Sequence, residues 1–220
     1  MTPSADSRTE RKRQTILAAG QELFLSQGFQ GTSVDQIAAR AQVSKQTVYK
    51  QFGDKQQLLF TIVSAVLDRI AGPVIERIAA LAHTKDLESD LVELAVDYLH
   101  AVLAEPVVQL RRLVIAEANR LPELADVYYQ RAPARTLSVL ADTFGHLNER
   151  GLLDVPVKGS AAEHFAFLVV GKPLDHALFY GGSHTLARIE PRDHARAAAR
   201  VFLAAYRAGN VDCGRSNRTR

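Results

Sequence analysis

The chain has 220 residues and a mass of 24.1 kDa, room for one large domain or two small ones. At 47% hydrophobic and 23% charged residues it can bury a core and is no disordered tail, and its single cysteine, Cys213, excludes an internal disulfide framework and a cysteine-based zinc site. The net charge of +3 conceals a split: residues 1–60 hold 8 Lys/Arg against 5 Asp/Glu, residues 61–206 hold 15 against 18, and residues 207–220 hold 4 against 1.

Residues 1–7 and 209–220 are small and polar and read as flexible ends. A first helix spans Arg8 to Gln27, with Ile16, Ala19, Leu23 and Phe24 on one stripe and Gly28 as its stop. Ser33 and Gln36 form an S-x-x-Q capping box for a short helix to Arg40, whose inward face is Val34, Ile37 and Ala38. After Ala41-Gln42-Val43, Ser44 caps a third helix carrying Val48 and Phe52, ended by Gly53. Asp54 caps a fourth, with Leu58, Leu59, Ile62, Val66 and Ile70 inward; Gly72-Pro73 reads as a kink within it. Further helices are expected near Leu87–Ala104, Pro106–Asn119, Pro122–Arg150, Ser160–Tyr180 and Pro191–Ala208, with Pro133 and Pro173 kinking or splitting two of them. Gly181-Gly182 reads as loop. No alternating β pattern interrupts the series, so the expected class is all-α.

Met1 to Arg13 lacks the apolar run of a signal peptide. No uncharged apolar stretch approaches the ~18 residues of a membrane span. The longest apolar region found is Phe165–Val170. A cytoplasmic protein with no membrane partner is expected.

The informative stretch is residues 28–60. Two short helices separated by three residues and joined through Val34, Ile37, Ala38, Val43, Val48 and Phe52 form a helix-turn-helix. The outward residues of the second helix are Lys45, Gln46, Thr47, Tyr49 and Lys50, hydrogen-bonding or cationic types. A helix fits the major groove with its first turn toward the bases. Gln46 suits an adenine edge and Lys45 a guanine edge or phosphate. Thr47 can use its hydroxyl or meet a thymine methyl. Tyr49 and Lys50 suit the DNA backbone. The helix starts at Thr32-Ser33 and Asp54-Lys55 offer N–H groups to phosphate, and Lys55 adds a cation. Ser44 lies at the third such start. Arg8, Arg11, Lys12 and Arg13 either reach adjacent phosphates or form a solvated arm. The tail cations Arg215, Arg218 and Arg220 read as solvated.

Ile16, Ala18, Ala19, Leu23, Phe24, Gly28, Phe29, Thr32, Ser33, Val34, Ile37, Ala38, Ala41, Val43, Ser44, Thr47, Val48, Tyr49, Phe52, Lys55, Leu58 and Leu59 together resemble the N-terminal domain of the TetR family of transcriptional regulators. The match covers about residues 10–60 without a gap. One departure is Gln42, where the family often carries Gly; a left-handed conformation there costs roughly 1 kcal/mol. The resemblance implies a three-helix DNA-binding head over residues 8–54 and a larger helical ligand-binding and dimerisation body over 55–208. It implies a homodimer, paired through the last two long helices, on a palindromic operator. An ordinary intramolecular core is the alternative use of those helices' apolar faces. The segment from Arg111 to Leu124 is similar to the AefR-like branch of the family.

Candidate effector-binding residues are Tyr98, Glu117, Tyr128, Phe144, Phe165 and His176, drawn from a wider set with His100, Tyr129, His146, His164 and Phe167. For Glu117 the competing reading is a salt bridge with Arg111, Arg112 or Arg120. His164 and His176 are twelve residues apart and lack the spacing of a helical metal site, so no metal and no cofactor is expected. No G-x-S-x-G, spaced Cys/His pair or phosphate-cradling glycine loop occurs, so no enzyme is expected. The expected function is a ligand-responsive repressor, released from DNA by a small apolar or aromatic effector. The alternative is an adaptor or architectural DNA-binding protein on the same fold without a pocket.

Overall fold

The computed structural model describes residues 5–209. The expectations for residues 1–4, for Cys213 and for Arg215, Arg218 and Arg220 lie outside the described residues. Within them the architecture is all-α, without strands; an isolated antiparallel bridge joins Leu153 and Arg207. The helices are α1 (Ala5–Gly31), α2 (Val34–Arg40), α3 (Lys45–Phe52), α4 (Lys55–Leu81), α5 (Leu87–Leu103), α6 (Glu105–Glu117), α7 (Pro122–Tyr129), α8 (Arg135–Glu149), α9 (Lys158–Tyr180), α10 (Gly182–Leu186) and α11 (Pro191–Tyr206). The chain divides into two compact units. One holds the residues up to Asp68 together with Gln109–Arg131, the other Arg69–Val108 and the residues from Ala132 onward.

In the first unit, Ile16, Ala19 and Phe24 of α1 are buried with Val34, Ile37 and Ala38 of α2, Val48 and Phe52 of α3, and Leu58, Leu59 and Ile62 of α4. The helix stops follow glycine chemistry. Gly28 takes φ 73° and breaks α1 geometrically, and Gly53 takes φ 80° after α3. α1 begins at Ala5, three residues earlier than expected. Gln30 of α1 donates to the Glu117 carboxylate at 3.4 Å, and Arg131 forms an ion pair with Asp68 at 2.9 Å, so Gln109–Arg131 is tied to the N-terminal helices by polar bonds.

In the second unit, α5 packs against α9 and α11, and α8 against α9. Phe144, Phe165 and Phe202 meet at its centre, with ring centroids 4.9–5.7 Å apart and no exposure. The last carbonyls beyond α4 are closed by Arg150, which donates to Ala82 O and, at 2.8 Å, to Thr84 O.

The split expected at Pro133 is present, and other expectations change. The helix expected over Pro122–Arg150 is split into α7 and α8 by a π-helical segment, Gln130–Ala134, around Pro133. Proline has no N–H and clashes with the preceding turn, and a widened turn absorbs both. By contrast α4 and α9 run through Pro73 and Pro173. The Gly181-Gly182 loop leads directly into α10, whose Ser183 N–H is met by the Glu105 carboxylate at 2.9 Å. Finally, α4 is long and apolar enough, at mean hydropathy 1.8, to cross a membrane by length and composition. Asp68 and Arg69 interrupt its apolar stretch, so it contains no uncharged run of that length. Its apolar positions include the buried Leu58, Leu59, Ile62, Val63 and Val66.

Candidate nucleic-acid interface

The helix-turn-helix is built from local signals. Ser33 Oγ accepts the Gln36 N–H at 3.2 Å while Gln36 Oε1 accepts the Ser33 N–H at 2.7 Å, a complete capping box. Ser44 Oγ accepts the Thr47 N–H at 3.1 Å and lies 2.8 Å from the Thr47 hydroxyl. Between these caps Gln42 has φ 55°, the left-handed conformation that the family's usual glycine at this position implied. The Gln42 N–H donates to Ala39 O at 3.2 Å and the Val43 N–H to Ala38 O at 3.0 Å. That paired pattern closes the C-terminus of α2 and turns the chain into α3.

Val48 and Phe52 face inward, so the outward face of α3 presents Lys45, Gln46, Tyr49 and Lys50, all exposed, with Thr47 half-buried beside its cap. Tyr49 is 44% exposed, a large aromatic side chain open to solvent on this face. Lys45 forms an ion pair with Asp35 of α2 at 3.0 Å. The hydrogen bond to Asp35, and then its charge, raise the Lys45 pKa above its ordinary 10.5. An upward shift on a lysine leaves it charged through the neutral range. Where Asp35 is ionised, the lysine's share of any stabilisation is present below its ordinary pKa of 10.5 and fades as pH rises through the shifted value. Arg40 clasps Glu22 with two nitrogens at 2.8–3.0 Å, joining α2 to α1.

The helix starts carry bonds within the chain. Thr32 is buried; its hydroxyl proton is shared between Leu23 O at 3.1 Å and Gly28 O at 2.8 Å, and its N–H faces Phe29 O. Ser33 and Ser44 are engaged as caps, and the Gln57 N–H is taken by Asp54 at 2.8 Å. Lys55 donates to Phe29 O and Thr32 O, both at 2.9 Å, and stands 4.2 Å over the Phe29 ring. Thr32 thus lies inside the motif and Lys55 half-buried beside it, while Ser33, Ser44 and Asp54 are exposed at its surface. Sequence reading also missed the place of Arg13: its guanidinium lies 4.6 Å from the Phe52 ring centroid, with Nη1 3.5 Å from Gln51 O.

The six candidate effector residues do not fall in one unit. Glu117 and Tyr128 belong to the first. Glu117 is buried and has Arg120 at 3.9 Å and Gln30 at 3.4 Å, so the salt-bridge reading of this residue has a partner. The Tyr128 hydroxyl accepts from Arg111 Nε at 2.8 Å. In the second unit Phe144 and Phe165 meet in the phenylalanine cluster, while Tyr98 packs beside the core half-buried. His176 Nδ1 lies 2.8 Å from the Thr185 hydroxyl, and its ring stacks near Tyr180 and His184 at 4.6 and 5.9 Å. An open cleft of about 680 Å³ between α5 and α11 is lined mainly by charged side chains, among them Asp86, Glu93, Arg192 and Arg196, and by none of the six. His164 lies 2.6 Å from the Tyr206 hydroxyl.

Comparison with known proteins points one way. The family described as bacterial regulatory proteins, tetR family, matches residues 16–62, and the AefR-like transcriptional repressor C-terminal domain matches residues 89–208. The transcriptional regulator HbdR of Aromatoleum sp. (strain CIB) is 38% identical over 74 residues, 34% of this chain and 32% of HbdR, so the similarity spans about a third of that relative. A TetR-family regulator structure from Mesorhizobium loti MAFF303099 superposes with TM-score 0.84 at 32% identity, covering 91% of this chain and 99% of that one. The flavonoid-responsive regulator FrrA superposes with TM-score 0.73 at 28% identity, covering 90% of this chain and 98% of its own.

Proposed function

The chain belongs to the TetR family of bacterial regulatory proteins, and on that premise we propose that it is a cytoplasmic, ligand-responsive repressor. In this reading residues 8–54 read a palindromic operator and residues 55–208 sense an effector and pair with a second copy. The observation that carries it is the outward face of α3, where Lys45, Gln46, Tyr49 and Lys50 are exposed together on a capped helix. Gln46, in the first turn, reads a base edge; Thr47 assists it; Tyr49 and Lys50 hold the phosphate backbone.

The other parts have narrower support. Phe167 of α9 is 68% exposed and Val201 of α11 is 51% exposed, apolar surface that a second copy would cover. Repression is suggested by the AefR-like repressor match. A small aromatic effector is suggested by likeness to FrrA, which is flavonoid-responsive. The effector releases DNA only by binding the other conformation more tightly.

The test is selection of duplexes from a random pool by the full-length protein. The expected result is an enriched palindrome with half-sites about one helical turn, or a multiple of it, apart. Absence of any enriched sequence overturns the reading, and an enriched single half-site overturns its dimeric part.

A further inference from the structure

The last carbonyls of a helix lack partners within it and carry partial negative charge. At the end of α3, local backbone closes two of them: the Gly53 N–H donates to Tyr49 O at 2.8 Å and the Asp54 N–H to Phe52 O at 3.0 Å. The Gln51 carbonyl is met from elsewhere, by Arg13 Nη1 at 3.5 Å, 38 residues away in the chain. The same guanidinium lies over the ring of Phe52 at 4.6 Å. Phe52 is 7% exposed and, with Val48, seats α3 on its neighbours. A planar cation against that ring, with an N–H toward the adjacent carbonyl, fixes the end of the helix in position and in rotation.

We infer that Arg13 is a positioning residue for DNA recognition: it caps the C-terminus of the recognition helix from α1 and does not serve as a phosphate ligand. The inference rests on α3 being the recognition helix. A cation used in this way releases no counterion from DNA, so its loss changes affinity through the aim of Gln46, Tyr49 and Lys50 and leaves the salt dependence as it was.

The experiment uses full-length protein and a duplex selected by the wild type from a random pool. Binding of wild type, Arg13→Ala, Arg13→Lys and Lys50→Ala is titrated over a series of salt concentrations, and amide exchange of the DNA-free proteins is followed over residues 45–53. Arg13→Ala is expected to bind about two- to tenfold more weakly with an unchanged salt slope. Its exchange over the last turn of α3 should quicken. Arg13→Lys keeps the charge without the flat face and should recover part of both effects. Lys50→Ala supplies the contrast, a slope lower by about 0.9 per head. A slope reduced by that amount in Arg13→Ala overturns the inference, as does unchanged affinity together with unchanged exchange. If the wild type selects no duplex, the reading of α3 fails separately. The exchange data then decide on the cap alone: faster exchange supports it and unchanged exchange overturns it.

Discussion

The ammonium of Lys55 stands 4.2 Å over the ring of Phe29 and donates to the carbonyls of Phe29 and Thr32, both at 2.9 Å. The first residue of α4 thereby locks the turn that precedes α2. Two hydrogen bonds from a charged donor and a cation–π contact make Lys55→Met destabilising by about 2 kcal/mol. Thermal denaturation should show Tm lowered by about 4–8 °C. An unchanged Tm would mean that the two carbonyls find water as readily as the ammonium.

Gln42 holds φ 55° without being glycine. Gln42→Gly relieves that strain and should raise stability by about 0.5–1 kcal/mol, read from urea denaturation. Gln42→Val, with a β-branched side chain in the left-handed region, should lower it. If both variants match wild type, the paired hydrogen bonds around the turn outweigh the side chain's preference.

Asp35 binds Lys45 at 3.0 Å on the proposed DNA-facing surface. Asp35→Asn removes a negative charge there and releases the ammonium for phosphate or guanine. Affinity for DNA should rise about two- to fivefold and the salt slope should steepen. A fall in affinity instead would show that the pair aims Lys45 rather than restraining it.

Tyr49→Ala and Lys50→Ala should each weaken DNA binding across sequences, Lys50→Ala with a shallower salt slope as well. Gln46→Ala should relax base preference at one position, costing about 1–3 kcal/mol of discrimination. Selection with the Gln46 variant returning the wild-type motif would remove that residue from the base-reading set.

A glutamate at Phe167 or at Val201, exposed apolar positions on α9 and α11, should convert a dimer to a monomer in sedimentation at micromolar concentration. A dimer that survives both changes is joined through another surface.

What was legible in the sequence was what depends on near neighbours. The capping box of Ser33 and Gln36 spans three residues, as does the Ser44–Thr47 cap, and both stand as read. The left-handed Gln42 followed from the resemblance, at a position where the family often carries glycine. What stayed hidden depends on chain brought from afar. Lys55 reaches carbonyls 26 and 23 residues earlier, Arg13 reaches one 38 residues later, and Glu105 supplies the start of α10 from 78 residues away. In sequence Lys55 and Arg13 read as cations for phosphate and Glu105 carries no reading, and nothing local names the distant partner of any of the three. Phe144 and Phe165 could not be placed from sequence: an aromatic on an apolar stripe looks the same whether it lines a cavity or fills a core, and in the fold both pack against a third ring, Phe202.

The first compact unit is assembled from two separate stretches of chain, with Gln30 bonded to Glu117 and Asp68 paired with Arg131. For anyone exchanging DNA-reading modules between regulators, the seam is therefore not where the helix-turn-helix ends. A graft that stops after the first 68 residues leaves Gln30 and Asp68 facing foreign side chains. A chimera that also carries residues 109–131 transfers both bonds intact, so three junctions rather than one define the transplantable part.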